Sequence, residues 1–207
     1  MEKIIYIIVL ILLENNFYKD IKHVNISNYD FIVNKNYKLN ENYIPNDLEE
    51  ISLEYSCKNK FLRKKAKIYF EKMAKQAKFE GYNIVAVSTY RNYDYQEKLY
   101  NNYVRDKGLY YADMASARAG HSEHQTGLAV DIADLSLDYD NFENTKEFNW
   151  VKKNAHKYGF ILRYPKAKFH ITGFKYEPWH YRFVGIEVAT YIYTNNMTLE
   201  EYKKITS

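Results

Sequence analysis

Two short runs far apart in the chain, Ser122-Glu-His-Gln-Thr-Gly-Leu-Ala-Val-Asp131 and Glu177-Pro-Trp-His180, constrain the fold more than any other feature of the sequence. His124, Asp131 and His180 supply three metal ligands. Glu177, three residues before the last ligand, is a second carboxylate able to act on a water held by the metal. Three protein ligands with the fourth position open make a catalytic zinc site, whereas structural sites are closed by four. A fold that uses these residues together must bring both runs to one place. A lone histidine is ordinarily a polar residue with ordinary hydrogen bonds; here each of two predicted strands brings a His or Asp to small or acidic neighbours, which points to a metal. His121 and His170 stand in loop-like contexts and would substitute only in a different register. His23 and His156 read as surface residues.

Each run contains a strand pattern. Leu128, Val130 and Ile132 fall on one face, and Ala129, Asp131 and Ala133 on the other. Asp131 thus shares its face with two methyl groups, expected to leave room above the sheet for a metal and a substrate. Gly127 suits a bend carrying His124 toward that face. From Trp179 to Val184, His180 and Arg182 share one face, opposite Trp179, Tyr181 and Phe183. Pro178, which has no N–H to donate, fits a strand start or edge. Glu177 is then expected at the mouth of the site, off the His180 face, where a general base can reach a water without ligating.

Elsewhere, apolar residues at three- and four-residue steps predict a helix over about Lys58 to Phe79, with Gly81 as its cap. Ile84 to Val87 reads as a short buried strand. Further helices are expected over Tyr93 to Lys107, Phe148 to Tyr158 and Ile186 to Tyr193, and a strand over Phe160 to Leu162. Thr198 with Glu201 offers a capping box for a last short helix. Mixed helices and short strands without regular alternation predict an α+β fold: a small antiparallel sheet carrying the zinc site, flanked by helices.

Lys3 followed by ten apolar residues, Ile4 to Leu13, suggests that residues 1–13 form a signal or membrane-anchor segment, too short to span a bilayer as a helix. Residues 14–36 are polar and read as an extended arm laid over a single catalytic domain of residues 37–207. One cysteine, Cys57, excludes an internal disulfide and a Cys-rich zinc knuckle. The net charge of +4 is too small to argue for a nucleic-acid partner, and no binding motif accompanies it. The 23 tyrosines could line a groove, although abundant Asn, Lys and Ile make compositional drift the simpler reading.

With these residues in view, the chain resembles the VanY-type D-alanyl-D-alanine carboxypeptidases, relatives of lysostaphin-type enzymes and hedgehog domains, over roughly Val33 to Gly185. The resemblance rests on Ser88-Thr-Tyr-Arg-Asn-Tyr-Asp-Tyr-Gln96, on Ala119 to Asp131, on Gly159-Phe160 with Arg163-Tyr-Pro165, and on Tyr176-Glu-Pro-Trp-His-Tyr-Arg182. It implies that His124, Asp131 and His180 hold one zinc ion and that Glu177 is the general base and acid. It also implies that Arg91, Gln96 and Ser122 line the substrate site, with Arg91 supporting the reaction. A guanidinium is well suited to a terminal carboxylate or a developing oxyanion. The expected partner is a peptidoglycan stem peptide ending in D-alanine, and the expected setting is extracytoplasmic, with a monomeric enzyme. The rivals are a peptidoglycan endopeptidase, an L,D-carboxypeptidase and a non-catalytic zinc domain that binds the cell wall. His121 departs from the small or Thr-like residue expected there and should alter the rim beside Ser122.

Overall fold

The computed structural model describes residues 18, 20–24, 26 and 28–206. The expected signal or anchor segment at residues 1–13 and the start of the arm lie outside the described residues. Among the described residues, no helix is long and apolar enough to cross a membrane.

The chain folds as α+β. Among the described residues, eight strands run in order: β1 Lys22–His23, β2 Tyr37–Lys38, β3 Leu48–Glu50, β4 Phe61–Arg63, β5 Val85–Ser88, β6 Ala129–Ala133, β7 Phe160–Leu162 and β8 His180–Phe183. The same residues form seven α-helices: α1 Lys64–Phe79, α2 Tyr93–Lys107, α3 Leu109–Ala115, α4 Lys146–Asn154, α5 Phe169–Thr172, α6 Ile186–Thr194 and α7 Leu199–Thr206. The principal sheet has the order β5-β6-β8-β7, antiparallel throughout, so the two strands read from the ligand runs lie side by side at its centre.

That sheet has one oily face and one polar face, as the alternation requires. Val130 and Ile132 from β6, and Tyr181 and Phe183 from β8, enter the main core with Phe160, Phe70, Met73 and Ala77. The register sets Asp131 opposite His180 and Ala129 opposite Arg182 on the other face. Directly opposed residues share a face with Cβ atoms about 4.5–5.5 Å apart, so pairing alone brings a carboxylate and an imidazole together.

The helix predicted from Lys58 begins at Lys64. Its first residues are taken by pairing: Phe61–Arg63 bonds to Leu48–Glu50, Arg63 N–H donates to Gly127 O at 2.8 Å and Lys64 N–H to Asp47 O at 2.7 Å. Helix α2 has the predicted bounds and α6 runs one residue longer. The predicted Phe148–Tyr158 helix is α4 followed by a 3-10 turn, Ala155–Tyr158. Two short helices, α3 and α5, were not anticipated; α3 continues after Gly108, where φ is +84° and the chain pivots. At α7 the capping box forms, with Glu201 N–H donating to Thr198 Oγ1 and Thr198 N–H to Glu201 Oε2. Phe31 and Val33, from the segment read as an arm, are part of the main core.

Candidate metal centre and cleft

Gly127 takes φ +67°, a left-handed conformation, and turns the chain from a 3-10 turn at Glu123–Thr126 into β6. An added Cβ there would stand 2.8 Å from Leu48 Cδ2 and 3.0 Å from Arg63 Cγ, so the turn has room only for glycine. The turn delivers His124 over the polar face of the sheet, beside the Asp131–His180 pair. In the second run, His180 N–H donates to Glu177 O at 3.2 Å across a turn with Pro178 at its second position. This reversal swings Glu177 back toward the same point.

Donor atoms of His124, Asp131 and His180 all lie within 4.8 Å of one another, and all three residues are buried. His124 Nε2 is 3.3 Å from Asp131 Oδ2, and His180 Nδ1 is 3.1 Å from Asp131 Oδ1. The other ring nitrogens are engaged behind them: His124 Nδ1 stands 2.6 Å from Thr89 O, and His180 Nε2 stands 3.4 Å from Glu123 Oε2. A carbonyl only accepts, so His124 carries its proton on Nδ1 and presents a bare lone pair at Nε2. Burial, with Arg91 nearby, lowers the His124 pKa to about 4 and keeps the ring neutral.

Asp131 Oδ1 is buried and accepts no hydrogen bond. The bare lone pair of His124 Nε2 faces Asp131 Oδ2 at 3.3 Å, and two such acceptors repel unless a cation stands between them. The donor set therefore fits a metal ion, and nitrogen with carboxylate oxygen is a ligand chemistry that suits zinc. Glu177 Oε2 is 3.6 Å from His180 Nδ1, and burial pushes its pKa up to about 7 despite the counter-effect of His180. It is only 8% exposed, so it stands inside the site rather than at an open mouth.

The centre opens into a cleft of about 270 Å³ lined by Ser88, Arg91, Ser122, Glu177 and an aromatic wall of Tyr95, Tyr103, Tyr139, Tyr164 and Trp179. Some of the many tyrosines do line a groove. Arg91 Nη1 donates to Ser88 Oγ at 2.8 Å and lies 3.8 Å from Asp131 Oδ2. Gln96 is buried behind it, accepting from Arg91 Nε at 3.0 Å and donating to Ala117 O at 2.7 Å. It meets the cleft through Arg91, not with its own amide. Ser122 is on the cleft wall, its Oγ accepting from His124 N–H at 3.3 Å.

Other expectations are corrected. The space beside Ala129 is not open above the sheet: Arg182, opposite it, is 0% exposed and donates to Glu123 Oε1 at 2.8 Å. The small residue accommodates a buried guanidinium instead. His121 does not touch the rim of the cleft; its Nδ1 meets Asn34 O at 2.8 Å and its ring packs edge-on against Tyr18. His156 is half-buried and stacked on Tyr193 at 3.8 Å, while His23 and His170 are exposed. Glu123, Arg163 and Glu200, to which the sequence alone assigns no role in the site, are buried together. A hint was available: Glu123 adjoins His124, and an acid beside a ligand is a natural orienting partner.

Comparison with known proteins places this geometry. Residues 59–186 match the VanY family, described as D-alanyl-D-alanine carboxypeptidase. YodJ of Bacillus subtilis (strain 168), a carboxypeptidase by name, is 45% identical over 204 residues, covering 92% of this chain and 75% of that protein. Among solved structures, the LD-carboxypeptidase LdcB is similar with a TM-score of 0.81 and 43% identity, over 90% of this chain and 91% of that one. A variant of the vancomycin-resistance D,D-pentapeptidase VanY in complex with Zn(II) gives a TM-score of 0.70 and 32% identity, over 84% of this chain and 98% of that one. The chain belongs to the VanY family of D-alanyl-D-alanine carboxypeptidases and is a metallopeptidase of the carboxypeptidase type.

Proposed function

We propose that this protein is a zinc-dependent carboxypeptidase that removes a C-terminal D-alanine from peptidoglycan stem peptides outside the cytoplasm. The observation that carries the reading is the set of buried nitrogen and carboxylate donors facing one another at 3.1–3.3 Å, with Asp131 Oδ1 left without a hydrogen bond. His124, Asp131 and His180 would hold one zinc ion. Bound there, zinc supplies Lewis acidity, acidifying a water and polarising the scissile carbonyl.

This chain's residues supply the rest. Glu177, whose pKa is pushed up to about 7 by burial, takes a proton from the attacking water and returns it to the leaving amine. Arg91 is fixed by Ser88 and Gln96, so its guanidinium is ordered before substrate arrives. It is suited to the terminal carboxylate or the developing oxyanion. Ser122 faces the substrate from the ligand turn, and the aromatic wall excludes water from the peptide. Hydrolysis joins water to the amide and leaves a free carboxylate and D-alanine.

A second reading concerns stereochemistry. LdcB, an LD-carboxypeptidase, is more similar to this chain than the D,D-pentapeptidase VanY, which favours a tetrapeptide stem with an L-centre before the cleaved bond. Incubating zinc-loaded protein with synthetic penta- and tetrapeptide stems, with products identified by mass, tests both. D-alanine release from the tetrapeptide alone selects L,D cleavage, and release from the pentapeptide alone selects D,D cleavage. Release from neither would overturn the carboxypeptidase reading.

A further inference from the structure

Glu123 belongs to neither the proposed ligands nor the cleft chemistry, yet its carboxylate is divided between two tasks. Oε1 accepts from Arg163 Nε at 2.8 Å and from Arg182 Nη1 at 2.8 Å. Oε2 is turned the other way, to His180 Nε2 at 3.4 Å. The carboxylate is 2% exposed and both guanidinium groups are fully buried. With two guanidinium groups donating to Oε1, the carboxylate is held in place with Oε2 turned to the ring.

The His180 ring stands between two carboxylates, Asp131 at Nδ1 and Glu123 at Nε2. Once the ring holds a single proton, Glu123 favours that proton on Nε2 and leaves the Nδ1 lone pair facing Asp131. We propose that Glu123 is the positioning residue of the metal centre, holding the His180 ring in the orientation that turns Nδ1 to Asp131. We further propose that Glu200, on α7, fixes Glu123 in turn through Arg163. Arg163 donates Nη1 to Glu200 Oε2 at 2.9 Å and Nη2 to Oε1 at 2.6 Å, a paired contact that locks the guanidinium plane. The same glutamate accepts from Asn34 Nδ2 at 3.3 Å, while Arg182 Nη2 reaches Tyr29 O at 3.1 Å and Phe31 O at 2.9 Å. Asn34, Tyr29, Phe31 and Glu200 all lie outside residues 59–186, the span matched to the family. The orientation of one ligand thus depends on the arm and the C-terminal helix.

This inference rests on the proposed metal site, and its tests separate the two. In zinc-loaded, nitrogen-15-labelled wild-type protein, long-range proton–nitrogen spectra should show His180 protonated at Nε2 and bound through Nδ1, with His124 the reverse. Zinc bound through His180 Nε2 would overturn the inference while leaving the zinc peptidase reading intact. No zinc uptake at all would overturn both. Glu123→Gln should weaken zinc binding about 10–100-fold in a chelator competition, and at saturating zinc should lower kcat while KM holds. Glu200→Gln, which leaves the Glu123–His180 contact in place, should weaken zinc less. A purely structural role would lower thermal stability without moving zinc affinity in the folded variants, and that result would overturn the inference. If Glu123→Gln fails to fold, the wild-type spectra and Glu200→Gln decide.

Discussion

His180 stands among Asp131, Glu123 and Glu177; burial opposes its charge, but the adjacent Asp131 and Glu123 carboxylates outweigh that and raise its pKa to about 9. Its ordinary value is about 6.5, so the proton it retains contributes stability that is fully present below about pH 6.5 and is lost as pH rises through about 9. Glu177, raised to about 7, acts in the same direction as pH passes from 4.5 to 7. Chelator-treated protein should therefore become less stable between about pH 6.5 and 8, seen as a falling midpoint in guanidinium unfolding. A rising midpoint over that interval would contradict the assignment. Zinc must displace the same proton, so titration calorimetry near pH 7 in buffers of different ionisation enthalpy should show about one proton released per zinc. At Glu177 the expectation is simpler: Glu177→Gln should retain zinc and lose about 10²–10⁴-fold in kcat. Near-normal turnover would remove Glu177 from its proposed role. The residues with reactive chemistry were legible one by one because their types and spacings are unusual. Glu123 was not, because an acid in a turn looks solvated until two distant arginines close over it.

The ligand-bearing elements were legible for a different reason. Alternation over Leu128–Ala133 and Trp179–Val184 dictates which side chains share a face, and no neighbour overrode it. The start of α1 was misjudged because Phe61–Arg63 carries a helix-compatible pattern but pairs with Leu48–Glu50, a partner no local window reveals. The turn entering β6 joins the two cases. Gly127 is the bend that delivers His124, and an added Cβ there would meet Leu48 of β3 and Arg63 of β4. Gly127→Ala should cost about 1–3 kcal/mol through the left-handed φ and the close contacts. It should also displace His124, so zinc affinity should fall together with the denaturant midpoint. An unchanged midpoint would mean that the turn can shift without loss.

Across the whole molecule, the parts farthest apart in sequence meet behind the site. The arm contributes Phe31 and Val33 to the core, and α7 contributes Glu200 to the buried ion network. None of this was legible, since long-range ion pairs leave no periodic trace. A metal bound only by the folded chain adds RT ln(1 + [Zn]/Kd) to stability, about 4 kcal/mol at a thousandfold excess over Kd. Stripping zinc should lower the unfolding free energy by that order, and equal stability with and without chelator would argue against the site. The pairing of Asp131 with His180 makes the donor cluster depend on strand register. Slide β8 by one residue and Tyr181 faces Asp131, the oily and polar faces exchange, and the donor cluster vanishes. The ion would then act as a proofreader during folding, since only chains with their central strands correctly aligned could capture it and be withdrawn from the misaligned pool.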